Sequence, residues 1–167
     1  MLPACSGHLG VYAAPAYLAR KGTPKHPNEL IEHDCLVHIS NGREETWSFQ
    51  HPVTQEEIAP SVSGLLWSNN AEALMAAAVR GSGLALLPRF LVLDTVSRGE
   101  LQPVLTHWPT PPLGMYLAYT SRRNQHLRVR ALIDHLADAL ALMIKSEAPA
   151  PNATLAKAAR VPVAAVA

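Results

Sequence analysis

The stretch from Asn69 to Pro88 constrains the fold most. Residues 71–80 are rich in Ala, Leu and Met, which lose little side-chain freedom in a helix. Asn69 and Asn70 in front of them offer side-chain oxygens for an N-cap, and Glu72, three residues after Asn69, suggests a capping box. Gly81-Ser82-Gly83 stops the helix. Residues 84–87 are then apolar without alternation, and Pro88 closes the run. A strand with no polar side is one buried on both faces. A helix feeding such a strand through a glycine stop predicts an α/β sheet covered by helices.

The rest of the chain repeats the alternation. Residues 9–14 read as a buried strand, and Pro15 opens a helix that Lys21-Gly22 ends. Pro27 opens a second short helix over 28–32, and residues 35–39 form a strand closed by the turn Ser40-Asn41-Gly42. Residues 46–49 read as a strand with Trp47 and Phe49 on one face, 51–58 as polar loop, and 61–67 as a strand weakened by Gly64. The Trp47 and Trp67 strands are close enough to pair antiparallel, which makes the sheet mixed, and Trp67 reads as core. Pro88 opens a helix through Val96 that Arg98-Gly99 ends. Residues 101–105 and 115–120 are strands, separated by a proline-rich loop. Leu132, Ile133, Leu136, Leu140 and Met143 recur at helical spacing through 126–145, and residues 146–167, rich in Pro and Ala, read as a disordered tail.

Composition excludes several functions. Of 167 residues only 16% are charged and the net charge is +1, which excludes a charged disordered chain and argues against a stand-alone nucleic-acid binder. No apolar run of about 18 residues predicts a membrane span, and no export signal is visible, so the cytoplasm is the expected compartment. Two cysteines imply no disulfide framework.

The motifs of common chemistry are missing too. There is no phosphate loop, no G-x-G-x-x-G, and Gly81-Ser82-Gly83 is not a nucleophile elbow. His33 and Cys35 share one face of a strand while His38 points the other way, so the three do not converge on a metal. They read as one buried cysteine and two loop or surface histidines. No cofactor, metal or enzyme activity is expected.

Polar residues at element ends are better candidates. In open α/β sheets ligands collect at the carboxyl ends of strands and at helix N-termini. Ser40 and Asn41 follow one strand, Ser68, Asn69 and Asn70 join another to a helix, and Pro88 ends a third. These six are the candidate ligand-binding residues, with Asn69 or Asn70 serving equally well as a plain cap.

Several stretches together resemble the effector-binding domain of LysR-type transcriptional regulators. Ala14-Pro15-Ala16-Tyr17-Leu18 through Gly22-Thr23-Pro24 is similar to the family's S-P-x-Y-L-x-x-x-G-x-P segment, with Ala14 in place of the usual serine. His33-Asp34-Cys35-Leu36 resembles its H-x-C-L strand entry and Trp47-Ser48-Phe49 its W-x-F strand. Gly81-Ser82-Gly83-Leu84-Ala85-Leu86-Leu87-Pro88 resembles G-x-G-I-A-x-L-P, and 130–136 its closing helix, with Leu132 at the aromatic position. Their order over residues 9–145 is what makes the combination specific.

The resemblance implies a type 2 periplasmic-binding-protein-like fold: a mixed sheet with flanking helices, in two lobes around a small-molecule effector. Residues 14–112 correspond to the second lobe and 115–145 to the return into the first. The chain reads as an N-terminally shortened member, with DNA contact expected only through the family's N-terminal helix-turn-helix. It implies a carboxylate-bearing effector, self-association and no membrane contact. A shortened first lobe leaves the apolar face of the 126–145 helix exposed. The competing readings are a solute-binding protein of the same fold, which needs an export signal, and a small hydrolase using Ser82 or Cys35, which needs a base beside the nucleophile.

Overall fold

A computed structural model describes residues 2–40, 42–118 and 127–145, with side chains described for 7–40, 42–118 and 128–142. In chain order the elements are β1 (Leu2–Ala13), α1 (Pro15–Lys21), a 3-10 turn (Pro27–Glu32), β2 (Asp34–Ser40), β3 (Arg43–Glu44), β4 (Phe49–Gln50), β5 (Glu57–Ile58) and β6 (Ser63–Ser68). Then follow α2 (Ala71–Val79), β7 (Leu84–Pro88), α3 (Arg89–Ser97), β8 (Gln102–Val104), β9 (Pro112–Leu117) and α4 (Leu127–Lys145). The expected tail at 146–167 lies outside the described residues.

β2 lies between β6 and β7 and is parallel to both, while β1 is antiparallel to β7 and β8. The sheet is therefore mixed, as expected. β3 folds back on the end of β2, opposing Glu44 to Ile39 and Arg43 to Ser40. β1 serves two neighbourhoods. Residues 2–8 pair with β9 and residues 9–13 with β7 and β8, the change of partner falling between His8, opposite Pro112, and Leu9, opposite Pro88. α4 packs on β1 as well. The strand begins earlier than residues 9–14 and ends at Ala13; Pro3, which lacks an N–H, falls at a register shift in its pairing with β9.

The apolar runs work as two-faced strands. Val11, Ala13, Cys35, Val37 and Leu84 pack on one side with Tyr17, Leu30, Trp47 and Phe49. Tyr12, Leu36, Ala85 and Leu87 pack on the other with Leu74 and Ala78 of α2, Val92 of α3 and Leu101. Successive residues face opposite sides, so a run without alternation fills both cores. Glycine sets two details. Gly81, at φ 75°, closes α2 with bonds from its own amide to Ala78 O and from Ser82 N to Ala77 O, the paired pattern of a Schellman stop. A Cβ on Gly83 would run into the carbonyl oxygen of Asp34, so a glycine there lets β7 approach β2.

Three expectations are corrected. Trp47 lies outside any strand: only Phe49–Gln50 is extended there, paired with Glu57–Ile58. Trp47 and Phe49 still share one core, so the alternation told their face and not their partner. The Trp67 strand does not pair with that segment but lies parallel to β2, with Trp67 opposite Val37. Trp67 is 45% exposed rather than core, because β6 borders β2 alone among the described strands and leaves Leu65, Leu66 and Trp67 uncovered. His33, read as a loop or surface histidine, lies on the bend before β2 and is buried there.

Candidate functional site

Three parallel strands, β2, β6 and β7, end on one edge of the sheet, at Ser40, Ser68 and Pro88. Because β1 is antiparallel to β7, its Leu9 lies opposite Pro88 at that same edge. β6 continues directly into α2, which brings a helix N-terminus to the strand ends. Backbone amides there are unpaired by helix geometry and favour negative charge.

The local bonds assign each polar residue. Asn70 is the N-cap, its Oδ1 accepting the amides of Glu72 at 2.9 Å and Ala73 at 3.2 Å. The third helical residue is thus Ala73, and Asn69 with Glu72 forms no capping box, contrary to expectation. Ser68 Oγ accepts the Asn70 amide at 3.1 Å, which keeps its hydroxyl hydrogen for another partner. Asn69 is exposed. The cap takes two of the amides that an anion would otherwise use, so any ligand here relies on side chains as well.

A concavity of about 540 Å³ opens at this edge, lined by Ile39, Gly42, Trp67, Ser68 and Asn69. It brings Ser68 and Asn69 together and places their wall against the residues that bracket Ser40 and Asn41. Asn41 itself lies outside the described residues, and Ser40 is exposed opposite Arg43. Asn70 and Pro88 do not line the hollow: one is used as a cap and the other precedes α3. Trp67 is the lining residue that periodicity assigned to the core. Its place beside Ser68, at the end of a short strand, was the available signal.

Other chemistry is weaker. The Cys35 thiol is buried and donates to Leu30 O at 3.7 Å, and burial pushes it up to about 12, so it is not a thiolate nucleophile near neutral pH. His38 lies opposite Ser68 in the register, with Nδ1 3.2 Å from Glu45 Oε1, an ion pair only when the imidazole is protonated. Among the described residues no three His, Cys, Asp or Glu side chains could share a metal ion. No helix among them is long and apolar enough to cross a membrane.

The profile of the LysR substrate binding domain matches residues 1–141. The chain belongs to this family. As a LysR substrate-binding domain it is 33% identical over 136 residues to the HTH-type transcriptional regulator PtxR of Pseudomonas aeruginosa, covering 81% of this chain and 43% of PtxR. It is likewise 33% identical over 130 residues to the iron-regulated virulence regulatory protein IrgB of Vibrio cholerae, covering 77% of this chain and 43% of IrgB. The chain thus spans under half the length of these curated relatives.

Among solved structures, the regulatory domain of CrgA from Neisseria meningitidis superposes with a TM-score of 0.71 at 27% identity, over 83% of this chain and 67% of that one. The virulence activator AphB of Vibrio cholerae gives 0.71 at 23% identity, over 82% of this chain and 46% of AphB, a likeness of fold. The LysR substrate-binding domain therefore has the type 2 periplasmic-binding-protein-like architecture, a mixed sheet between helices, that its motifs implied.

Proposed function

We propose that this chain is the effector-sensing part of a cytoplasmic LysR-type transcriptional regulator and binds a small carboxylate-bearing metabolite at the ends of β2, β6 and β7. The observation that carries the reading is the hollow at those strand ends, where Ser68 and Asn69 stand before the N-terminus of α2. Ser68 offers a hydroxyl hydrogen, Asn69 an amide, and Trp67 an apolar wall, a combination that orients a carboxylate on an organic skeleton.

In this reading residues 14–112 are the second lobe and 115–145 return to the first, a division that the change of β1 partners between His8 and Leu9 supports. DNA contact belongs to a helix-turn-helix N-terminal to the matched part, as the name of PtxR suggests for that protein. Self-association is supported by the exposed Val129, Leu132 and Leu136 of α4. Titration of the chain with mono-, di- and aromatic carboxylates, followed by amide NMR, tests the site. Shifts confined to residues 39–42 and 67–72, lost in Ser68→Ala with Asn69→Ala, are the expected result. Binding unaffected by that pair places the site elsewhere.

A further inference from the structure

The three tryptophans serve three different ends. Trp47 is buried in the core, and the Trp108 indole Nε1–H donates to Lys25 O at 3.1 Å. Trp67 is 45% exposed and lines the strand-end hollow. Aromatic rings on the wall of a concavity are surfaces for recognition.

The placement of Trp67 is built into β6. The register opposes Gly64 to Cys35 and Leu66 to Leu36, so Leu65 is one residue more than β2 can match. This is a β-bulge, and a bulge re-aims the side chains that follow it. In a regular strand residues 64 and 67 face opposite sides. Here Gly64 lies opposite Cys35 and Trp67 opposite Val37, and both of those residues face the core that holds Tyr17 and Trp47. Gly64 and Trp67 are thus on one side of the sheet. A Cβ on Gly64 would fall on the indole, at Cζ2, Cε2 and Nε1. The ring therefore lies back against the Gly64 backbone, in room that a glycine leaves open.

Ile39, two residues beyond Val37 in β2, is on the same side as Trp67. The hollow joins two chemistries. Ile39 and the indole give it an apolar side, and Ser68 and Asn69 at the strand end give it hydrogen-bond donors. An aliphatic skeleton gains no more from an indole than from a leucine of equal area. A flat ring does gain more, because two π systems attract in offset or edge-to-face arrangement.

We propose that Trp67 determines the specificity of this hollow as a platform for the flat ring of an aromatic carboxylate, and that Gly64, beside the bulge at Leu65, positions it. The inference rests on the carboxylate site proposed above and names the class of ligand that the site takes. The carboxylate meets Ser68 and Asn69 while the ring packs on Trp67.

Benzoate and cyclohexanecarboxylate are the probes. They carry the same carboxylate on a six-membered ring, flat in one and puckered in the other. Against a plain apolar wall the saturated ring binds at least as well, because it buries at least as much apolar surface. Both are titrated into the full 167-residue chain labelled with nitrogen-15, with the Trp67 indole signal assigned by its loss in Trp67→Leu. Benzoate is expected to bind about threefold to tenfold more tightly than cyclohexanecarboxylate and to shift the Trp67 indole signal together with the amides of 67–69. Trp67→Leu keeps an apolar wall and should bind the two acids alike. Gly64→Ala displaces the indole from a position outside the hollow and should reduce the preference for benzoate. The amide spectrum of each free variant shows whether it folds as the original chain does, and Trp67→Leu decides the platform by itself if Gly64→Ala does not fold. Equal affinities in the unsubstituted chain, both lost in Ser68→Ala with Asn69→Ala, overturn the platform and leave the carboxylate site standing. A preference that survives Trp67→Leu overturns the platform as well, and one undiminished in folded Gly64→Ala overturns the role of Gly64. Binding of neither acid at 67–69 overturns platform and carboxylate site together.

Discussion

Tyr17 and His33 are joined inside the protein, phenol oxygen to imidazole Nδ1 at 3.2 Å. The same phenol accepts the Asp34 amide at 2.9 Å, which leaves its hydrogen for the imidazole. α1 is thereby fastened to the first residue of β2. Arg20, on the same helix, donates to Gly81 O at 3.1 Å and ties α1 to the end of α2.

This pair makes stability depend on pH. His33 is held below the ordinary histidine value, first by burial and then by the nearby Lys21 charge. Its contribution is complete above about pH 6.5, where both folded and unfolded chains are neutral at this ring. As pH falls further the unfolded chain takes the proton first, so stability drops until the folded ring also protonates. Urea midpoints should therefore fall between pH 7.5 and 5, and His33→Gln should flatten that part of the curve. Tyr17→Phe strands the Asp34 amide and the His33 nitrogen and should cost about 1–3 kcal/mol at pH 7.5. A midpoint insensitive to pH in both chains would contradict this role for His33.

In the proposed site, substitutions at Asn69 and Asn70 should separate folding from binding. Asn70→Ala removes the oxygen that accepts two helix amides and should cost about 1 kcal/mol in chemical denaturation. Asn69→Ala removes an exposed side chain and should change stability by less than about 0.5 kcal/mol. The proposed site predicts the reverse ranking for carboxylate affinity. Equal stability losses at the two positions would mean that the cap is shared.

How far these roles were legible depends on whether the cause was local. The Gly81 stop, the two-faced run at 84–87 and the Pro15 helix start follow from backbone conformation and burial of neighbouring residues, and all three appear in the structure. The edge position of β6 was not legible, because exposure of Trp67 depends on which strand lies beside it, fixed by β2 far away in the chain. The burial of His33 was missed for the same reason: its partner Tyr17 is 16 residues away and on another element. Of the residues that line the hollow, Ser68 and Asn69 are legible from their position between strand and helix. Asn70 was found by the same rule, but its bonds make it a cap. Ile39 and Trp67 could be found only with the neighbouring strands in place.

Gly83 should tolerate no side chain. The obstructing atom is a backbone oxygen, Asp34 O, so nothing flexible can move aside. Gly83→Ala should cost about 1–3 kcal/mol or more by pushing β7 from β2. Gly81→Ala meets only an ordinary contact, Tyr17 N at 3.9 Å, but needs φ 75°, at a cost of about 1–2 kcal/mol. Thermal melts showing Gly81→Ala far worse than Gly83→Ala would place the constraint in the helix stop rather than in the strand contact.

α4 carries Val129, Leu132 and Leu136 at spacings of three and four, which puts them on one helix face, and all three are exposed. Neighbouring apolar side chains left in water favour burial against another surface, and their removal from it should not disturb the fold. Leu132→Glu with Leu136→Glu should leave the denaturation midpoint within about 0.5 kcal/mol of the original chain. On size exclusion the original chain should elute above its monomer mass of 18.0 kDa and bind a hydrophobic dye, and the double variant should elute as monomer with the dye signal reduced. Elution of the original chain as a clean monomer without dye binding would show that this face needs no cover.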